Sequence, residues 1–273
     1  MRATVKVNGA ITVVNAIASW RGAAIGLDFE VVAEAEPFDS LAVLPDDPLL
    51  REAASVALEE VGGEGVRVKV DSEIPVGWGL KSSSAVANAT VLAVLALFKR
   101  EVNLMKALKL SVNAARRAGV TITGALDDAA ASMLGGLVVT DNSKDELLLR
   151  IPVPEYEVLI LLPEGEAKPT ITVDATRLRK FSSIASSLVE LLPKKIWEVM
   201  TLNGLLYSEV LGYDPKPALK AVEIGAIGAG LSGTGPAIAA VCEECDEIAE
   251  EWSSLGRVFR KKITNQMAEI RRS

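Results

Sequence analysis

Small, β-branched and polar residues alternate from Ala3 to Ala18, the period of strands with one face buried, and Asn8-Gly9 inside that run carries a turn signal. The run is therefore expected to hold more than one strand. Gly22 to Val32 predicts another strand, bent at Gly22 and Gly26. The period then lengthens. Asp46 to Val61 has helical spacing, with Pro48 suited to a first turn and Gly62-Gly63 to a stop. Val66 to Val70 alternates again and leads into a glycine-rich loop, Pro75 to Gly79. Ser83 to Arg100 predicts a strong helix, closed by Lys99 and Arg100, whose charges complement the dipole at a C-terminus. A second helix over Leu104 to Ala118 follows, then a small-residue loop, Gly119 to Gly124, and a third helix from Asp127 that Gly135-Gly136 ends.

Leu137 to Thr140 returns as a strand, and the polar stretch Asp141 to Asp145 is turn-like. Val158 to Leu162 is a short continuous apolar run suited to a buried strand. Helices are expected over Thr176 to Leu191, Lys194 to Leu211 and Pro217 to Ile224. A second glycine-rich loop, Gly230 to Gly235, precedes a strand over Ala237 to Val241, a helix over Cys245 to Trp252, and a strand–helix tail. Strands and helices alternate irregularly, with hairpin-like pairs early, which favours an α+β fold over a doubly wound parallel sheet. Pro152 and Pro154, after the polar stretch, place a boundary near residue 150, dividing 1–150 from 151–273.

Composition narrows the chemistry. With 273 residues, 49% of them hydrophobic, the chain can bury a full core, and aromatics at 4% leave Ala, Val, Leu and Ile to build it. A net charge of -7 argues against a general nucleic-acid binder. It does not argue against an anionic ligand, because the backbone of a glycine-rich loop binds phosphate without a basic surface. There is no histidine. That excludes Ser-His-Asp and Cys-His sites, imidazole bases and nearly all zinc sites with nitrogen ligands. Chemistry falls to carboxylates, hydroxyls, Lys and Arg, backbone dipoles or a hard metal. Cys242 and Cys245 form a C-x-x-C with no second pair to complete a zinc cluster, and are read as structural thiols rather than a redox couple. Arg2 and Lys6 are followed by no sustained apolar run, and Val86 to Phe98 is too short to span a bilayer. The expected setting is the cytoplasm, with neither membrane nor nucleic acid as partner.

Three stretches carry candidate chemistry. In Pro75-Val76-Gly77-Trp78-Gly79-Leu80-Lys81-Ser82-Ser83-Ser84-Ala85, the glycines allow a tight turn and close approach to a ligand. The serines then start a helix whose first N–H groups are unpaired and partly positive, a natural seat for a phosphate chain. Lys81 adds a full charge, and a serine hydroxyl suits Mg²⁺. Neither the Walker A spacing nor G-x-G-x-x-G is present. In Thr123-Gly124-Ala125-Leu126-Asp127-Asp128-Ala129, two carboxylates open a helix, which the dipole favours in any protein. One can take a proton from a hydroxyl while the other orients it or approaches a metal, since adjacent helical residues point about 100° apart. The third stretch, Gly230-Leu231-Ser232-Gly233-Thr234-Gly235-Pro236-Ala237, allows close packing against another loop or a ligand, or is simply a structural turn.

Together and in this order, the three stretches resemble the signature motifs of the GHMP small-molecule kinases. Pro75 to Ala85 matches P-x-x-x-G-L-x-S-S-x-A, Gly124 to Asp127 resembles G-x-x-D, and Leu231 to Ala237 resembles the late glycine loop. Within that family, these segments and the opening Gly9 to Ala18 and Gly22 to Asp28 are similar to the archaeal shikimate kinases. The resemblance implies a GHMP-kinase-like two-domain fold, with a ribosomal protein S5 domain 2-like N-terminal domain and a ferredoxin-like C-terminal domain. It implies ATP and Mg²⁺ on the loop Pro75 to Ala85, Ser83 as metal ligand, Asp127 as base, and phosphorylation of the 3-hydroxyl of shikimate. Asn15, Arg21, Asp28, Asp128, Gly233, Thr234 and Gly235 are the candidates to contact the acceptor. Two positions depart from the mevalonate kinases: Ala10 stands where they carry a lysine, and Arg116 where they carry a second metal-binding glutamate. A kinase of homoserine or mevalonate, or an ATP-binding sensor without catalysis, are the alternative expectations.

Overall fold

The computed structural model describes residues 2–166 and 173–273. Its first sheet is built on two long antiparallel strands, β1 (Ala3–Val14) and β2 (Arg21–Pro37). Here the Asn8-Gly9 signal gives way to tertiary packing. β1 runs straight through it with a register shift, and a Cβ on Gly9 would stand 2.8 Å from Cβ of Phe29. The pair marks a bulge where Phe29 needs room, not a turn. One half of β2 pairs with β4 (Val66–Ser72), and β3 (Leu41–Leu44) lies parallel beyond it. The other half pairs with β5 (Leu137–Asp141), followed by β6 (Glu146–Ile151). The outer edge of β1 is closed by β11 (Glu269–Arg272).

Four helices accompany this sheet. Asp47 caps α1 (Pro48–Val61) by accepting from the N–H of Leu49 and Leu50, and Gly62 closes it in the left-handed region. α2 (Ser82–Phe98) is buried on nearly every side, which its Ala, Val and Leu composition permits. It packs on β1 and β2, with α1 and α3 (Leu104–Arg117) against it, while α4 (Leu126–Leu134) lies on the same two strands.

The second sheet is antiparallel in the order β10 (Gly256–Lys262), β7 (Glu157–Pro163), β9 (Ile238–Cys242), β8 (Gly228–Leu231). α7 (Ile196–Leu211) packs on β8 at a crossing of glycines, where a Cβ on Gly204 would fall 2.4 Å from the Cα of Gly230. α8 (Lys216–Ile224) and α9 (Asp246–Ser253) complete this half. The helix expected over Thr176 to Leu191 is two: α5 (Ala175–Arg179), capped by Asp174, and α6 (Ser182–Glu190). Phe181 breaks them apart at φ -102 and ψ 16, and joins the buried group formed by Ile17, Leu178, Ala185 and Tyr207.

Two further expectations are corrected. The tail holds two strands and no helix, because after β10 the chain returns to the first sheet, where β1 supplies the partner that makes Glu269–Arg272 a strand. Cys242 and Cys245 are not free thiols but a disulfide, their Cα atoms 5.5 Å apart at the junction of β9 and α9. Both sulfurs are buried beside Trp252. Such a bond is at home in an oxidising compartment or in the proteins of hyperthermophiles. The fold class is α+β with two sheets, as the irregular alternation predicts.

Candidate active site

The loop before α2 alternates into the left-handed region, with φ of 80° at Gly77, 78° at Gly79 and 67° at Lys81. Lys81 occupies the N-cap position yet makes no side-chain cap, and the first helical bond runs from Ala85 N to Lys81 O. The N–H groups of Ser82, Ser83 and Ser84 therefore open the helix without an intrahelical acceptor. Pro75, Val76, Gly77 and the run Gly79, Leu80, Lys81, Ser82, Ser83, Ser84 line one wall of the cleft. Trp78 and Ala85 do not: the Trp78 carbonyl accepts from Ala237 N at 3.2 Å, and Ala85 is core.

The late glycine loop is fastened to both this loop and β1. Ser232 Oγ donates to Gly79 O at 2.9 Å and accepts from Thr12 N at 3.4 Å. Gly233 N donates to Thr12 Oγ1 at 2.8 Å, and Asn15 Nδ2 donates to Gly233 O at 2.9 Å. A Cβ on Gly79 would lie 2.1 Å from the Ser232 carbonyl oxygen, and one on Gly233 would lie 2.9 Å from Lys81 Nζ. Glycine at each position is what lets the two loops touch. Gly233 and Thr234 line the cleft, while Gly235 packs on Tyr213 and Leu231 behind it.

The opposite wall is the start of α4. Ala125 takes φ 51° and turns Asp127 inward, where it is 4% exposed. Its Oδ1 accepts from Asn142 Nδ2 at 2.9 Å, and Asn142 is held in turn by Thr123 and Thr140. Gly22 of β2 presses on the same carboxylate: a Cβ there would come within 2.3 Å of Oδ2. Burial, and then the charge of Asp128, raise the Asp127 pKa to about 7, against the pull of Lys81 and the Asn142 bond. Asp128 turns the other way and pairs with the buried ammonium of Lys81 at 2.9 Å. The two carboxylates thus face different partners, Asp127 the Asn142 amide and Asp128 the Lys81 ammonium.

The hard oxygen donors at the loop include the hydroxyls of Ser82, Ser83 and Ser84 and the Asp128 carboxylate. Among the described residues no group of three or more Asp, Glu or Cys side chains forms a metal cage. A divalent ion such as Mg²⁺ would find few ligands from the protein here, and hard oxygen donors are the kind it takes. Arg116 holds Asp145 through two bonds of 2.7 Å and lies against Gly124, so it braces the loop before α4. Asn15 lines the cleft, and Arg21 opens β2 one residue before Gly22. Asp28 is elsewhere: it accepts from Lys262 N at 2.8 Å and borders a separate groove with Asn265 and Glu269.

Comparison with known proteins agrees with this geometry. Residues 48–136 match the family model for the GHMP kinases N terminal domain, and residues 189–261 the model for GHMP kinases C terminal. The chain belongs to the GHMP kinases. This kinase is 43% identical to a shikimate kinase of Methanothrix thermoacetophila, covering 99% of this chain and 96% of that one. It is 40% identical to a shikimate kinase of Methanothermobacter thermautotrophicus, covering 99% and 98%. Among solved structures, Methanococcus jannaschii mevalonate kinase superposes with a TM-score of 0.73 at 14% identity, covering 96% of this chain and 98% of that one. Homoserine kinase from Cytophaga hutchinsonii gives 0.74 at 19% identity, covering 98% and 97%. Those two likenesses show the GHMP kinase fold alone.

Sequence reasoning missed the roles of four residues that shape the site of this GHMP kinase, although Ser232 lies in the stretch expected to pack against another loop. Asn142 orients Asp127 from a stretch read only as a turn. Thr12 and Ser232 join the strands to the late loop. Tyr207, on α7, donates to Asn15 O at 2.9 Å and accepts from Ala18 N at 3.2 Å, fixing the turn that floors the cleft.

Proposed function

We propose that this chain transfers the γ-phosphoryl group of ATP to the 3-hydroxyl of shikimate, giving shikimate 3-phosphate and ADP. One observation carries the chemistry: a buried carboxyl with a raised pKa, Asp127, shares a cleft with the uncapped N-terminus of α2. A base poised near neutrality and a seat for phosphate are the two parts a phosphoryl transfer to an alcohol needs. The full-length likeness to shikimate kinases supports the choice of acceptor.

In this reading the N–H groups of Ser82, Ser83 and Ser84 hold the phosphate chain, and Lys81 adds its charge there. Ser83 is the metal ligand, with Asp128 the second oxygen donor beside it. Mg²⁺, when bound, neutralises charge on the phosphate oxygens. Asp127 takes the proton from the acceptor hydroxyl as its oxygen bonds to the γ-phosphorus, and the bond from that phosphorus to the ADP oxygen breaks. Gly22 and Asn142 hold the Asp127 carboxylate still while this happens. Asn15, Gly233 and Thr234 border the acceptor space. The setting for this reaction is the cytoplasm; among the described residues no helix is long and apolar enough to cross a membrane.

The test is ADP release from ATP and Mg²⁺ with shikimate, homoserine and mevalonate supplied separately. Turnover with shikimate and not with the other two is expected. Turnover with homoserine or mevalonate in its place would overturn the acceptor while keeping the phosphate loop. Nucleotide binding without turnover of any of the three would favour a sensor.

A further inference from the structure

Two segments distant in sequence hold Asp127, and one side chain outside the cleft joins them. The loop before α4 carries it: Gly124, three residues earlier, takes φ 88°, and its N–H donates to Thr121 Oγ1 at 3.0 Å. The turn between β5 and β6 grips it: Asn142 Nδ2 donates to Asp127 Oδ1 at 2.9 Å and to Thr123 Oγ1 at 3.2 Å. Arg116, in the last turn of α3, reaches both segments. Its Nη1 and Nη2 donate to the two carboxylate oxygens of Asp145, three residues after Asn142, each at 2.7 Å. The same guanidinium lies so close to Gly124 that a Cβ there would stand 2.7 Å from Nη2 and 3.0 Å from Cζ.

A two-bond pair of this kind fixes orientation as well as distance, because the planar guanidinium matches the carboxylate edge to edge. Asp145 itself takes φ 53°, a backbone state that Asp tolerates better than most residues. At the other end of the turn, Asn142 N donates to Trp20 O at 2.8 Å, and Asn142 Oδ1 accepts from Thr140 Oγ1 at 2.7 Å. One end is thus tied to the strands and the other to α3. The next residue of that helix supplies a comparison. Arg117 makes the same two-bond pair, with Glu59 at 2.9 and 3.1 Å, and its side chain is 41% exposed against 42% for Arg116. Its partner lies on α1 and not on a segment that holds Asp127.

We propose that Arg116 is a positioning residue: through Asp145 and Gly124 it keeps the Asn142 turn and the loop before α4 at the spacing that aims the Asp127 carboxylate. This rests on the reading of Asp127 as the base. Arg116 does not border the cleft, so it acts on the reaction only through these two segments. A base displaced by a fraction of an ångström costs turnover and leaves nucleotide binding almost untouched.

The experiment measures kcat and KM with ATP and shikimate for the full chain, for Arg116→Ala, Arg116→Lys, Asp145→Asn, Arg117→Ala and Asn142→Ala, and for Arg116→Ala combined with Asn142→Ala. Asp145→Asn removes the charge but keeps a residue that tolerates positive φ. Arg116→Ala and Asp145→Asn should each lower kcat roughly 5- to 50-fold, with KM for ATP within about twofold of the parent. Arg116→Lys should recover part of the loss, since lysine restores the charge and not the fork. Arg117→Ala, which deletes an equally exposed pair, should keep kcat near the parental value. Once Asn142→Ala has released the turn's grip on Asp127, adding Arg116→Ala should cost less than about twofold more. Thermal melting of each variant separates a lost contact from a lost fold, and Arg116→Lys and Asp145→Asn keep the test readable should Arg116→Ala fold poorly. Parental kcat in the Arg116 and Asp145 variants, an equal loss in Arg117→Ala, or the same Arg116→Ala penalty with and without Asn142 overturns the inference alone. Near-parental turnover by Asp127→Asn, or no turnover of shikimate by the unaltered chain, overturns the reading of the site and the inference with it.

Discussion

Asp127 should set two measurable properties at once, because the burial that raises its pKa also costs stability. Its ordinary pKa of 3.8 rises to about 7 in the folded protein. Between those values the folded state keeps a proton that the unfolded chain has released. Stability therefore falls as pH rises through that window, and the full cost is present above it. Asn at this position keeps an oxygen to accept from Asn142 but does not titrate. Asp127→Asn should lose roughly 10²- to 10⁴-fold in kcat with little change in nucleotide affinity. The parent's kcat/KM should fall as pH drops below about 7, and that fall should vanish in the variant's residual activity. Without nucleotide, the melting temperature of the variant minus that of the parent should grow between pH 5 and pH 8. Its size should be several degrees, at roughly 2–4 °C per kcal/mol for a chain of this length. Near-parental turnover would remove Asp127 from the chemistry. An equal difference in melting temperature at both pH values would show that the carboxyl is not held protonated by its surroundings.

At the scale of elements, the site is a junction of two loops on separate sheets, and the sequence signals each loop better than it signals the joint. Gly77, Gly79 and the three serines are local features, so their role is visible in the order of residues. The bonds from Ser232 to Gly79 and Thr12 span separations of 153 and 220 residues, and no local pattern announces them. The same difference explains the elements. α1 and α3 carry their own period and stops, and α2 and α7 are long apolar runs with clear ends, so all four are legible. β3 has four residues, and β11 is Glu-Ile-Arg-Arg, a strand only because β1 lies beside it. The joint itself is open to test. Ser232→Ala removes the bond to Gly79 O and the longer one from Thr12 N, together worth about 1–2 kcal/mol, and should raise KM for ATP several-fold while sparing the fold. Gly79→Ala should do far more, on the order of 100-fold in kcat/KM for ATP, because its methyl meets a backbone carbonyl at 2.1 Å and its φ is 78°. Equal, small effects of the two would mean that the loops need not touch for nucleotide to bind.

Across the whole molecule, the chain leaves the first sheet after β6, builds the second, and comes back to the first as its last strand. Residues 1–150 are thus not the whole of the sheet they dominate. Val158, Ile160, Val199 and Val241 belong to the same buried cluster as the β1 and β2 side chains, so the core is shared between the sheets. The returning strand also finishes α2 at the end remote from the phosphate loop. Arg272 Nε donates to Ala96 O at 2.9 Å and its Nη2 to Lys99 O at 3.0 Å, which gives the last carbonyls of that helix a cation. Ending the chain at Ala268 would strip these contacts and bare the edge of β1. The expected loss is on the order of 2 kcal/mol or more, summed over several ladder and side-chain bonds, and reads as a lower melting temperature. None of the removed residues borders the cleft, so kcat of the folded fraction and KM for ATP should stay near parental values at a temperature well below the melt. A truncated chain that melts like the parent would show that β11 adds nothing to the first sheet. One that stays folded but loses kcat would show that the far end of α2 is coupled to its phosphate-binding start, along seventeen residues of buried helix.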